Sequence, residues 1–490
     1  MKAYRFSSRL LGILLCLSYC LVIPGLAQAE FDAQNELPDI GSSSDTVLSI
    51  QEERRLGEMF MRNVQRSAEI VDDPEVELYI QGLGQRLVSY LPSIPYDFHF
   101  FVIDAAEINA FAVPGGYVGI NSGLILAAET ENELASVVAH EIAHVSQRHI
   151  SRSFEKNQRV SLTTMASIIA AILLSGQGGD ASLAALSTGM ATGYQAQLNF
   201  TRAHEKEADR VGIQLMAESG YDPRGMPQFF EKLQQQSRYS TTGLPEILMT
   251  HPVTVSRISD STNRAEQYPK RGNVDHISFQ LIKQKFKVNS AKNIRQTLKE
   301  YADLTQKNPS SPQLYGYALA LTQALEFSQA EAILQKLIER EGERSEFLLA
   351  LAACQAEQAG DAKKAAAKTY ETALKIYPNH KAVVMAYGDY LLKSGHEPKA
   401  RSLLEDYMRQ TAPTANVYEL RARIEDRLGN QAESHAAMAE AYFLTGMTGN
   451  AIEQLEFALK KLGENPFRRP GLEKRLEELK QIALQDKKEQ

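Results

Sequence analysis

Cysteine is nearly absent from this 490-residue chain. Cys16 and Cys20 fall within the first twenty residues, and Cys354 is the only other one. The body of the chain therefore has no disulfide framework, and its fold must rest on core burial. Long apolar runs are missing as well. The two longest, 10–23 and 162–174, fall short of the roughly 20 residues that a membrane-spanning helix needs. Excess positive charge is also lacking. The formal net charge is −7, which argues against nucleic acid as a partner.

Where basic residues do lead, they have a different meaning. Lys2, Arg5 and Arg9 precede the apolar stretch 10–23, and Leu26-Ala27-Gln28-Ala29 follows it. This is the pattern of a secretory signal peptide, 1–29, with cleavage expected after Ala29. A lipid-anchored reading would need a small residue before Cys20, where Tyr19 stands. The first 29 residues carry those three positive charges and no negative ones, so their removal takes the net charge from −7 to −10. The remaining length suggests two domains.

Chemistry enters at His140-Glu141-Ile142-Ala143-His144. Thr130 with Glu133 fits a helix-capping box, and Leu134, Val137, Val138, Ile142 and Val145 then recur at helical spacing. On a helix, residues four apart share a face, so His140 and His144 can address one metal ion while Glu141 leans toward its open position. A second helical run holds Glu205 and Asp209 four residues apart. Glu205 can supply a third ligand, and Asp209 can accept a hydrogen bond from a ligand histidine and fix its tautomer. Zinc, tetrahedral with nitrogen and carboxylate ligands, suits this set, one ion per chain. The long-spacer zincin pattern is excluded, since Gln147 and Ile150 occupy the positions where it wants Gly and His. Glu207 projects away from Glu205 on the same helix. His149 and His204 lie off the ligand faces and are expected at the surface.

Around these motifs, 30–48 reads as an extended polar arm, 50–68 and 74–91 as helices, and 98–104 as a strand. A hairpin turns at Pro114-Gly115-Gly116. Its first strand, Asn109, Ala110, Phe111 and Ala112, is a candidate edge for pairing with an extended substrate, the other reading being an ordinary core hairpin. Segment 162–190, apolar on both sides of a Gly-rich break, suits a helical hairpin beside the site. It could serve as core, as a lid, or as a peripheral membrane- or partner-docking surface. His251 precedes Pro252 in a loop, with Arg257 a candidate polar partner. The candidate roles of His251 are fourth ligand, oxyanion contact or free surface residue.

From about 308 the chain turns rich in Ala and Leu, with turns recurring every 34 to 36 residues. The unit Gly360, Ala366, Tyr370, Ala373, Leu374, Pro378 matches the small-aromatic-small packing of a tetratricopeptide repeat. Ala330 with Leu334, Ala400 with Leu404, and Ala451 with Leu455 and Ala458 hold related phases, and 466–485 suits a capping helix. The expected fold is mainly α (α+β): a zincin-like peptidase domain with a small sheet at 30–270, connecting helices at 271–307, and an α-solenoid at 308–490.

Taken with Asn109-Ala110-Phe111-Ala112 and Thr250-His251-Pro252, the zinc motifs resemble the HtpX/BepA group of gluzincin peptidases. The resemblance covers nearly the whole chain. HtpX itself differs by carrying membrane-spanning helices. The resemblance implies a periplasmic zinc metalloendopeptidase, with Glu141 as general base, acting in assembly and quality control of outer-membrane β-barrel proteins. It also implies chaperone-like activity toward unfolded or stalled outer-membrane proteins, and contact with the β-barrel assembly machinery through the repeats. The alternative is a non-proteolytic assembly chaperone or scaffold that works through the repeats. The intact Glu141 favours proteolysis, because a structural zinc site has no use for it.

Overall fold

The computed structural model describes residues 48–92, 95–154, 202–239, 245–270, 277–463 and 465–488. The signal peptide, residues 30–47 of the polar arm and the 162–190 segment lie outside these residues.

Helix α1 (Ile50–Ser67) opens on a reciprocal capping box between Ser49 and Glu52. In α2 (Pro74–Val88), the N-cap Asp73 accepts from the backbone of Glu75 and Val76, and proline takes the first turn, where its missing N–H costs nothing. Strands β1 (His99–Ile103), β2 (Ala110–Val113) and β3 (Tyr117–Asn121) form a sheet in the order β1-β3-β2. β1 runs parallel to β3, and β2 runs antiparallel to it, with Ala110 opposite Ile120 and Val113 opposite Tyr117. The β2–β3 turn needs glycine. Gly116 has φ of 92°, and a β-carbon there would lie 2.5 Å from the Asp97 carbonyl.

Helices α3 (Ser122–Ala127), α4 (Glu131–Ser146), α5 (His149–Phe154), α6 (Arg202–Ser219), α7 (Gly225–Tyr239), α8 (Glu246–Thr250), α9 (Val255–Ala265) and α10 (Ile277–Asn289) follow. α4 runs through the middle of the domain, with Leu134, Val138, Ala139 and Ile142 fully buried. Each large apolar side chain there contributes about 1.5–3 kcal/mol relative to exposure. Its start differs from the expected capping box. Thr130 Oγ1 does accept from the Glu133 backbone N–H at 3.2 Å, but the Glu133 carboxylate accepts from the N–H of Glu129, not Thr130, and pairs with Lys232 at 2.6 Å. α6 crosses α4 at close range because of Gly212, where a β-carbon would meet the Ala139 carbonyl carbon and the His140 nitrogen at 3.3 Å. It ends, as expected, at Gly220, which has φ of 92°.

Paired helices from Ile294–Leu304 to Arg469–Lys488 make up the repeat array. Ala330, Ala366, Ala373, Ala400, Ala451 and Ala458 are all fully buried where partner helices meet, with Tyr370, Leu334, Leu404 and Leu455 beside them. Backbone in the left-handed region recurs at Leu325, Gly360, Gly395, Gly429 and Gly463, a spacing of 35, 35, 34 and 34 residues. The array packs on the peptidase domain. Helix α10 gives Phe279, Ile282 and Phe286 to the peptidase core and Leu281 to an array cluster. The acidic start of α2 faces array cations and amides: Glu77 meets Lys381 at 2.6 Å, and Asp72 accepts from Asn416 at 2.8 Å. Lys285 of α10 holds Asp73 at 2.6 Å.

Candidate metal centre

α4 carries His140, Glu141 and His144, α6 carries Glu205 and Asp209, His251 caps the C-terminus of α8, and Arg257 lies in α9. All seven side chains are buried. His140, His144, Glu205 and His251 each offer one ligand atom, and these atoms lie within 4.8 Å of one another. His144 Nε2 stands 3.0 Å from His140 Nε2, which is 3.4 Å from His251 Nδ1. That Nδ1 is 3.0 Å from Glu205 Oε1, and the same oxygen is 3.5 Å from His144 Nε2. A tetrahedral ion with bonds of about 2.0–2.1 Å separates its ligands by about 3.3–3.4 Å, and the four separations above, 3.0 to 3.5 Å, lie around that value.

The outward nitrogens have their own neighbours. His140 Nδ1 is 3.0 Å from Asp209 Oδ1, and His144 Nδ1 is 2.9 Å from His149 Nδ1. With protons on those outward atoms, the inward nitrogens present lone pairs to one another and to a carboxylate, an arrangement that a cation relieves. The donor set therefore fits a zinc ion. Arg257 braces the carboxylates. It makes two bonds to Asp209, at 2.8 and 2.7 Å, reaches Glu205 Oε2 at 2.6 Å, and donates to the Pro252 carbonyl at 3.0 Å.

The electrostatics follow from burial and these pairings. Burial raises the Glu141 carboxyl above its usual range, as suits a proton acceptor, and its Oε1 lacks a hydrogen-bond partner among the described residues. Burial opposes the charge on Glu205, yet the histidines around it hold it well below the carboxylate range. Burial also opposes charge on His140, but Asp209 and Glu205 carry that ring up to about 9. The negative potential that favours a proton there equally favours a metal ion, whose binding displaces the proton. Burial and the neighbouring His140 hold His144 well below its ordinary value, so that ring is neutral.

Two histidines depart from expectation. His149 is fully buried, and its ring stacks on His204 at 4.5 Å with 11° between the planes. A single continuous helix would turn His149 away from His144. Instead α4 stops at Ser146, Arg148 adopts a left-handed φ of 52°, and α5 starts at His149. The break carries no glycine or proline, so the sequence holds no local signal of it. His204 is half-buried against His149 rather than solvated. Glu207, which faces away from Glu205 as expected, lies 3.1 Å from His149 Nε2 and 3.0 Å from Arg152.

In the sheet order, β2 lies at an edge, and Asn109, Ala110, Phe111 and Ala112 all bury their side chains. Phe111 packs edge-on to Phe60, while Ala112 and Val113 line a small cavity with His144. The strand is thus part of the core through its side chains and an edge through its backbone.

A buried His-Glu-His helix crossed by a second acidic helix, with a repeat solenoid appended, defines a metallopeptidase of the zincin type joined to tetratricopeptide repeats. Residues 74–265 match the profile of Peptidase family M48, and 356–424 match a tetratricopeptide repeat profile. The beta-barrel assembly-enhancing protease of Escherichia coli (strain K12) is 34% identical over 466 residues, covering 94% of this chain and 95% of that protein. A putative beta-barrel assembly-enhancing protease of Vibrio cholerae is 36% identical over 444 residues, covering 90% and 91%. The mitochondrial metalloendopeptidase OMA1 of Arabidopsis thaliana is 27% identical over 217 residues, covering 44% and 41%. The chain belongs to peptidase family M48 and is a metalloprotease.

Proposed function

We propose that the protein is a periplasmic zinc metalloendopeptidase, secreted with cleavage after Ala29, that acts on unfolded or stalled outer-membrane β-barrel proteins. The observation that carries this is the convergence of His140, His144 and Glu205 within one buried cluster beside Glu141. These three residues would hold one zinc ion, and Asp209, itself fixed by Arg257, would orient His140. A zinc ion held there supplies Lewis acidity toward the scissile carbonyl and the attacking water. Glu141 takes the proton of that water as its oxygen bonds to the carbonyl carbon, then returns the proton to the amine as the C–N bond breaks. The backbone edge of β2 would bind the substrate as an added strand.

His251 is read as a removable fourth ligand. Its Nδ1 lies 3.0 Å from Glu205 Oε1, inside the cluster where a substrate or water would have to stand. The repeat domain, taken as 308–490 beyond connecting helices at 271–307, would hold clients and dock on the barrel-assembly machinery. A role in beta-barrel assembly is what the names of the Escherichia and Vibrio relatives print, and it supports this reading. The second reading, a non-proteolytic assembly chaperone or scaffold, keeps this role and drops the chemistry. It is disfavoured by a buried Glu141 whose Oε1 makes no hydrogen bond among the described residues, with His251 Nε2 3.6 Å away.

The test is metal analysis with casein as substrate. One zinc per chain, cleavage lost on chelation and restored by zinc, is the expected result. A protein that contains no metal and cleaves nothing supports the scaffold reading.

A further inference from the structure

We propose that His149 is a positioning residue for the metal ligand His144, and that Glu207 fixes His149 in turn. The inference rests on the assignment of His144 as a ligand. When His144 Nε2 faces the cluster as an acceptor, its Nδ1 carries the proton. The neighbour of that proton is His149 Nδ1, at 2.9 Å, and the pair is wholly buried. His149 can accept there only with its own proton on Nε2, and Nε2 lies 3.1 Å from the Glu207 carboxylate, a strong acceptor. One tautomer of each ring satisfies both contacts, and the reverse assignment puts a proton on His144 Nε2 or leaves two lone pairs opposed. The chain Glu207–His149–His144 therefore selects the ligating tautomer of His144 and fixes the plane of its ring.

The fold builds this chain deliberately. Arg148, at φ of 52°, turns the backbone so that α5 brings His149 back under the C-terminal end of α4. α6 supplies the other side from two adjacent faces. Glu205 and Asp209, four residues apart, address the cluster and His140, while His204 and Glu207, three residues apart, address His149 by stacking and by hydrogen bond. Arg152 pins Glu207 at 3.0 Å. Both histidines of the metal helix are thereby oriented through the same helix, His140 directly by Asp209 and His144 through an inserted imidazole.

The test uses the full-length protein with zinc alone, and reads zinc affinity by competition with a chromophoric chelator, so no substrate is involved. The melting temperature of the zinc-free protein is recorded alongside. His149→Ala removes the acceptor and is expected to weaken zinc about 10- to 100-fold. His149→Asn places an amide oxygen near the position of Nδ1 and is expected to stay within about threefold of wild type, at a similar or lower zinc-free melting temperature. Glu207→Ala, at a side chain 28% exposed, should fold even if His149→Ala does not, and is expected to weaken zinc by up to roughly tenfold. A residue that only fills the core would give the reverse pattern: lower melting temperatures with zinc affinity unmoved. Equal zinc affinity in His149→Ala and His149→Asn, or wild-type affinity in Glu207→Ala, overturns the inference. His144→Ala, run in parallel, separates the two layers. Full zinc affinity there removes the metal assignment itself, whereas loss there with retention in His149→Ala removes only the positioning role.

Discussion

Arg257 grips Asp209 with two atoms of its guanidinium, Nε to Oδ2 at 2.8 Å and Nη2 to Oδ1 at 2.7 Å, while Nη1 reaches Glu205 at 2.6 Å. One side chain of α9 thus fixes the carboxylate beside His140 and the carboxylate of the metal cluster together. Its bond to the Pro252 carbonyl also ties in the loop that carries His251. Two segments far apart in sequence, α6 and the 251–257 stretch, are held in register by one buried cation.

Asp209→Ala should therefore act twice. Losing the carboxylate beside His140 should weaken zinc retention about 10- to 100-fold. Leaving Arg257 buried without its bidentate partner should cost about 3 kcal/mol or more in urea unfolding. Equal zinc content, turnover and stability in the variant would place Asp209 outside the machinery.

His251→Ala bears on regulation. A fourth imidazole at the open position blocks it, and one carried on a chain connection can leave without unfolding the domain. The variant is expected to keep its zinc and to cleave model substrates, and itself, faster than wild type. Were His251 instead an oxyanion contact, activity would fall by about 10²- to 10³-fold with zinc retained. The sign of the change decides between the two.

Deleting 308–490 should leave a folded domain that binds zinc and no longer engages clients or the assembly machinery, because each repeat contacts mainly its neighbours. It should also melt at a lower temperature than the whole chain, since Leu281, Glu77 and Asp72 lose their partners in the array. A truncated protein that fails to fold would show that the two parts share an indispensable core.

Leu325 occupies the turn position that Gly395 and Gly429 fill in later repeats, with φ of 65° and the residue 70% exposed. A left-handed conformation costs an L-residue about 1–2 kcal/mol, partly offset by the greater unfolded freedom of glycine. Leu325→Gly should thus stabilise the array by roughly 0.5–1 kcal/mol in denaturant unfolding. A loss of stability there would mean that the exposed leucine makes contacts of greater value.

Much of this was readable from local patterns. The helix of the candidate metal site is legible because two histidines four apart and an apolar face at helical spacing need no information from elsewhere in the chain. The repeats declare themselves through alanines and glycines that recur with the helix pairs. The contacts made by His149 were not readable, because the turn at Arg148 uses an ordinary residue in a left-handed conformation and a helical wheel drawn past Ser146 points the ring the wrong way. The Glu133 side chain, too, followed tertiary context, leaving Thr130 for Glu129 and Lys232. Leu325 stands at one turn within the array that Gly395 and Gly429 mark plainly in later repeats, although Ala330 and Leu334 still disclose its unit.

The central claim is that Glu141, buried and raised by burial above the usual carboxylate range, moves the proton in peptide hydrolysis. The most direct test is zinc content and casein cleavage measured side by side in wild type and Glu141→Gln. The substitution keeps every proposed ligand and removes only the base, so zinc should remain near one per chain while cleavage falls to background. Cleavage near the wild-type rate in a zinc-loaded Glu141→Gln protein would contradict the account.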